Sequence, residues 1–289
     1  MADKTKTAAG TTETTGHEWD GIQELNNPLP KWWLYLFYAS ILFAVVWSVL
    51  YPSVPYFRSH FAGLLGYTQR EEVAQNLREA AGSQAVYRDR IQNLDVIAVR
   101  ADEELRRFAT AGGRVLFAEN CAGCHQSGGV GTKGYPSLAD DDWLWGGSLT
   151  EIEQTIRYGI RAGHDETRVS QMPRFQLDGM LSAKEVEAVA DHVLVMAGQA
   201  PAKGQDPKLG AKLYADNCVA CHGETGKGNR ELGAPNLTDK VWLYGSDRKS
   251  VIQTVAQSRN GVMPAWAGRL DDATIKMLAV YVHALGGGE

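Results

Sequence analysis

Cysteine is scarce in this chain: four occur in 289 residues, all within two copies of one eight-residue motif. That scarcity leaves no framework of several disulfides to staple a small fold, and it denies each C-x-x-C pair the further sulfurs a structural zinc site needs nearby. Charge is absent from Trp32 to Tyr51, and proline is absent from 71–108. A strong overall charge is lacking too. The formal balance is −5, with −2 in residues 1–110, −5 in 111–200 and +2 in 201–289, so no basic face points to nucleic acid. Residues 1–31 are polar, rich in Thr and Gly and without apolar periodicity, and read as a mobile tail with little fold of its own.

What is present begins with the uncharged run. "WWLYLFYASILFAVVWSVLY" (32–51) has the length of a helix that crosses a hydrocarbon core of ~30 Å. Trp32, Trp33 and Tyr35 mark one end and Tyr51 the other, as amphipathic rings do at the two interfaces of a lipid bilayer, while Pro28, Pro30, Pro52 and Pro55 fence the run. A long polar head precedes it and no A-x-A site follows, which argues against a cleaved signal peptide. Lys and Arg around the run are too few and too balanced to set its orientation. Residues 52–110 form a charged connector. Its stretch 71–108 reads either as one or two amphipathic helices, with a break at Gly82-Ser83, or as a solvated spacer.

The rest of the chain is a duplication. "GRVLFAENCAGCH" (113–125) answers "GAKLYADNCVACH" (210–222), and "PSLADDDWLWGGS" (136–148) answers "PNLTDKVWLYGSD" (235–247). "QMPRF" (171–175) matches "VMPAW" (262–266), and a final apolar-periodic helix follows each. The cysteines are offset by 97 residues, Trp143/Trp242 by 99 and Met172/Met263 by 91, so the first copy carries eight extra residues in "RAGHDETR" (161–168). Two copies of this length predict two domains, 111–198 and 208–289, joined by a linker at 199–207.

C-x-x-C-H is the attachment signature of covalent haem c. Cys121 and Cys124, and again Cys218 and Cys221, share one face of a short helix with His125 and His222, so both sulfurs and the imidazole of each copy address one flat object. Disulfides would explain the cysteines alone. They leave unexplained the histidines and the matching Met172-Pro173 and Met263-Pro264, which predict a second axial ligand for each iron. A haem with His and Met ligands has no open position for substrate, which predicts electron transfer with no catalytic site in this chain. His164, inside the extra segment, competes with Met172 as a ligand. Each domain is taken to supply its own methionine, with exchange between domains the alternative. Trp143 and Trp242 are expected to pack against the haem edges.

A polar head, one membrane helix, a charged connector and two repeats carrying "CAGCH", "VSQMPRF", "CVACHG" and "GVMPAW" resemble the di-haem subunit III of cbb3-type cytochrome c oxidases. The resemblance covers essentially the whole chain. It implies a mainly α protein: one N-terminal transmembrane helix followed by two tandem all-α cytochrome c domains with two covalent haems. It further implies electrons taken from a donor cytochrome c and passed to a mono-haem c subunit and the catalytic haem-copper subunit, where oxygen is reduced. The location implied is a bacterial inner membrane, with tail 1–31 cytoplasmic and cytochrome domains periplasmic. Electron transfer within another membrane complex, of dehydrogenase or cytochrome bc type, is the alternative. A di-haem peroxidase or a gas sensor would need an open iron. Asp140, Asp141, Asp142, Glu151 and Glu153 are candidates for steering a basic donor.

Overall fold

The structure, a computed structural model, describes residues 13–200 and 206–288, in two compact units that divide between Ser83 and Gln84. Residues 1–12 of the expected tail and 201–205 of the expected linker lie outside the described residues.

In the first unit the tail is not featureless. Strands β1 (Thr14–Trp19) and β2 (Ile22–Leu25) pair antiparallel, with Trp19 opposite Ile22. Asp20 and Gly21 both take positive φ, 48° and 83°, the two-residue turn whose twist matches a hairpin. Helix α1 (Lys31–Leu50) follows, one residue earlier at each end than the uncharged run. Its mean hydropathy is 2.0, none of its residues is buried, and its 20 residues reach ~30 Å, enough to span a bilayer. After it the chain doubles back through β3 (Pro55–Tyr56) and β4 (Ser59–His60). The amides of Leu64 and Leu65 then donate to the Val49 and Leu50 carbonyls, satisfying acceptors that a helix end otherwise leaves bare.

The expected break at Gly82-Ser83 is absent: α2 (Gln69–Asn93) runs through both residues. A glycine costs an exposed helix only ~1 kcal/mol, too little to interrupt one otherwise built from good helix formers. In the second unit Asp95 and Asp102 cap α3 (Val96–Ala101) and α4 (Glu103–Asn120), their carboxylates accepting first-turn amides. Then come α5 (Ala122–His125), α6 (Leu149–Tyr158), α7 (Ala183–Met196), α8 (Pro207–Asn217), α9 (Val219–His222), α10 (Arg248–Gln257) and α11 (Asp272–His283).

Packing does not follow chain order. Leu105, Ala109 and Phe117 of α4 and Ile152 and Ile156 of α6 are buried with Ile275, Leu278 and Val282 of α11. Leu213 and Tyr214 of α8 and Val251 and Val255 of α10 are buried with Val186, Val189 and Val193 of α7. Each repeat has given its last helix to the other. The contacts are equivalent across the exchange: a Cβ on Gly113 would meet the Met277 carbonyl, and one on Gly210 the Ala188 carbonyl. In each core an aromatic ring one turn on from that glycine packs beside a ring of the exchanged helix, Phe117 with Tyr281 at 5.4 Å and Tyr214 with His192 at 5.4 Å. The first core therefore starts earlier than residue 111, with Ile91, Val96 and Val99, and closes with α11. The expected linker 199–207 joins α7 to α8, two helices of the same core.

Ion pairs tie the exchanged helices in place. Arg157 on α6 reaches Asp272 on α11, and Arg248 on α10 reaches Asp191 (Nε–Oδ1 2.7 Å) and Glu187 (3.0 Å) on α7. Lys276 donates to the carbonyls of Ile91, Gln92 and Leu94, closing the end of α2 on α11.

Leu278 is fully buried. Leu278→Ala is expected to cost about 3 kcal/mol and to speed amide exchange in α4 while leaving α8 protected, as read by hydrogen-exchange mass spectrometry. Asp191→Ala is expected to cost about 2 kcal/mol and to act on α7 and α10 instead, as read by thermal denaturation. Arg248 keeps 39% of its side chain exposed, which moderates the loss.

Candidate haem centres

Each attachment motif is set by the same local design. The amide of Cys121 closes α4 on the Phe117 carbonyl and that of Cys218 closes α8 on Tyr214, so the first cysteine is the last residue held by the long helix. One short turn, α5 or α9, then carries the second cysteine and the histidine. The loops beyond fold back alike. Gly131 and Gly228 donate to the His125 and His222 carbonyls at 2.8 and 2.9 Å, and Leu138 and Leu237 donate to Gly129 and Gly226 at 2.7 Å.

These loops deliver a carbonyl to each imidazole. His125 Nδ1 donates to the Pro136 carbonyl at 3.0 Å and His222 Nδ1 to Pro235 at 3.1 Å. A proton held at Nδ1 leaves Nε2 bare as a metal ligand. Burial pushes both histidines below their usual pKa, against the opposing pull of the proline carbonyls, and so favours the neutral ring a metal requires. Burial, with the neighbouring cysteine adding to it, pushes the Cys121 and Cys218 thiols up to about 11. These are neutral sulfurs on apolar walls, and all four cysteines are free of disulfides. The donor set fits a covalently held porphyrin: two sulfurs and a bare imidazole nitrogen per motif, beside an apolar core.

The exchange extends to the methionines. Cys121, Leu138, Trp143 and Met263 pack against the first core, and Leu237, Trp242 and Met172 against the second, in which Cys218 is buried. The two sets are equivalent residue by residue except that each methionine comes from the other repeat, contrary to the expectation that each repeat keeps its own. Backbone bonds hold the arrangement. The amides of Trp266 and Ala267 donate to carbonyls at the end of α6, and those of Gln176 and Leu177 donate to Ala256 at the end of α10.

The remaining expectations resolve individually. His164 lies beside Tyr158, ring centroids 4.8 Å apart, with Nδ1 accepting the Glu166 amide, and belongs to neither core. Trp143 packs on the first core and donates through Nε1 to the Gly287 carbonyl. Glu151 is spent in a capping box with Ser148 and Glu153 in an ion pair with Arg157, leaving Asp140, Asp141 and Asp142 as the acidic patch. Arg161, Asn260 and the two proline carbonyls went unread as site residues. The prolines had a signal in their matched positions after each motif; Arg161 and Asn260 had none.

Comparison with known proteins bears on the whole chain. The family described as "Cytochrome C oxidase, cbb3-type, subunit III" matches residues 108–193 and 205–282, and "N-terminal domain of cytochrome oxidase-cbb3, FixP" matches 11–58, including the hairpin. The cbb3-type cytochrome c oxidase subunit FixP of Bradyrhizobium diazoefficiens is 51% identical over 96% of this chain and 95% of its own length. The FixP subunit of Azorhizobium caulinodans is 49% identical over 97% and 95%, and the CcoP subunit of Cereibacter sphaeroides 47% over 99% and 98%. With its membrane helix, its mainly α architecture and its duplicated C-x-x-C-H repeats, this chain belongs to the subunit III family of cbb3-type cytochrome c oxidases.

Proposed function

We propose that the chain carries two covalent haem c groups and relays electrons from a donor cytochrome c to the mono-haem and haem-copper subunits of its oxidase, with no catalytic site of its own. Cys121, Cys124, His125 and Met263 would hold one group, and Cys218, Cys221, His222 and Met172 the other. The observation that carries this reading is the pair of equivalent clusters, which gather Cys121, Trp143 and Met263 on one core and Cys218, Trp242 and Met172 on the other. Held by an imidazole and a thioether, a haem would supply one-electron ferric–ferrous chemistry with no position left for substrate.

The chain's own part is positioning. Pro136 and Pro235 fix the histidine tautomer and ring plane, the helix ends fix the sulfurs, and the cores hold each methionine and exclude water. Asp140, Asp141 and Asp142 present the charge toward which a basic donor is steered; burial, with Asp239 adding to it, pushes the Asp142 carboxyl above the usual carboxylate range. On this reading α1 anchors the chain in the inner membrane, with the tail 1–31 cytoplasmic and the haem domains periplasmic, where covalent attachment takes place.

Two tests follow. In Cys121→Ser/Cys124→Ser protein the one remaining haem is expected to keep its sulfur-to-iron charge-transfer band when Met263 is changed to Ala and to lose it when Met172 is changed to Ala. The reverse pattern would return each methionine to its own repeat, and a haem insensitive to both would remove methionine as its ligand. For orientation, an epitope added at the N-terminus is expected to survive protease applied to intact spheroplasts while the haem-stainable fragment is released.

A further inference from the structure

Between α6 and Met172 the chain leaves the first core for the second, and between α10 and Met263 it returns. The two crossing segments lie side by side. Ile160 and Met263 exchange backbone hydrogen bonds at 2.9 and 3.0 Å, and a Cβ on Gly159 would stand 2.4 Å from the Met263 carbonyl, so a glycine permits the approach. Arg161 sits at the crossing, half-buried, with φ of 51° and its own amide donating to the Arg168 carbonyl at 2.7 Å. Its Nε donates to the Gly261 carbonyl at 2.7 Å and its Nη1 to the Ser170 carbonyl at 2.8 Å. Each acceptor stands two residues before a methionine, Gly261 before Met263 and Ser170 before Met172.

We propose that Arg161 is a positioning residue for both methionines, one guanidinium clamping the two loops that carry them, so that ligation at the two irons is mechanically linked. The proposal rests on the ligand assignment above. Guanidinium suits the task because it stays charged, offers several donors in one rigid plane and forms charge-assisted bonds to backbone oxygens. The second repeat has no equivalent. At the same distance beyond Trp242 as Arg161 lies beyond Trp143 stands Asn260, whose side chain brackets the backbone of Met172 alone, accepting from its amide at 3.2 Å and donating to its carbonyl at 3.2 Å. The molecule therefore contains its own control, one side chain serving a single loop and one serving both.

The test uses the full haem-loaded chain in detergent. In the reduced protein each ligating methionine gives its own set of strongly upfield-shifted proton resonances, assigned by Met172 and Met263 variants. Asn260→Ala is expected to alter the Met172 set only. Arg161→Gln is expected to alter both sets and, in the oxidised protein, to raise the affinity of both irons for imidazole about tenfold, the equilibrium weight of one charge-assisted hydrogen bond. Should Arg161→Gln not accumulate, Arg161→Lys, which reaches one carbonyl at a time, is expected to move both sets by less. Arg161 substitutions that move neither set, or only one, overturn the proposal. Wild-type protein without the upfield sets would overturn the ligand assignment instead, and amide exchange then judges the clamp separately. Faster exchange in both 169–175 and 260–266 on Arg161→Gln upholds it, and unchanged exchange in either segment overturns it.

Discussion

The seating of α11 on α4 at Gly113, and its counterpart of α7 on α8 at Gly210, is the contact from which the haem-bearing unit follows. A glycine at each point lets two helix backbones come closer than any side chain would allow, and a wall of Val, Ile and Leu closes around the approach. Once α11 occupies the first core, the loop before it must lie at the end of α6, and Met263 packs against the same core as Cys121 as a result. Chain connectivity then gives α7 and Met172 to the second core. Which methionine packs with which C-x-x-C-H motif is thus decided by helix packing some distance from the sulfur atoms.

The arrangement nests one core in the other. Among the described residues the second core draws on 172–200 and 206–257, while the first is assembled from residues before Tyr158 and after Val262. Both crossings occur in one place, next to both methionines, where Arg161 and Asn260 find their acceptors. Two units that exchange only one chain end share a single hinge. These share a two-stranded junction, joined by the paired backbone bonds of Ile160 and Met263.

Much of this was legible because it is written in local spacing. An uncharged run of bilayer length, C-x-x-C-H and Met-Pro in register each carry their meaning within a few residues. The exchange is not local. Gly113 and Gly210, Phe117 and Tyr214, and the apolar faces of α7 and α11 are near equivalents, so either final helix suits either core as far as composition tells. The eight-residue difference before Met172 was the only trace: the outgoing crossing is longer than the return. The hairpin was missed although Asp20-Gly21 is a strong turn signal, because the flanking residues lack alternation. The break at Gly82-Ser83 was overstated, since two weak helix formers do not outweigh their neighbours. Glu151 and Glu153 read as free surface charge, but a cap and an ion pair had already claimed them.

The nesting also orders assembly in time. A chain made from its N-terminus presents CAGCH well before CVACH, yet the wall behind Cys121 needs Ile275, Leu278 and Val282, which follow both motifs in the chain. The second core lacks nothing once α10 has emerged. The motif made first is therefore enclosed last. Until α11 has emerged, Phe117 and its neighbours stand bare, so the earlier motif stays open for longer, and exposed to aggregation for as long.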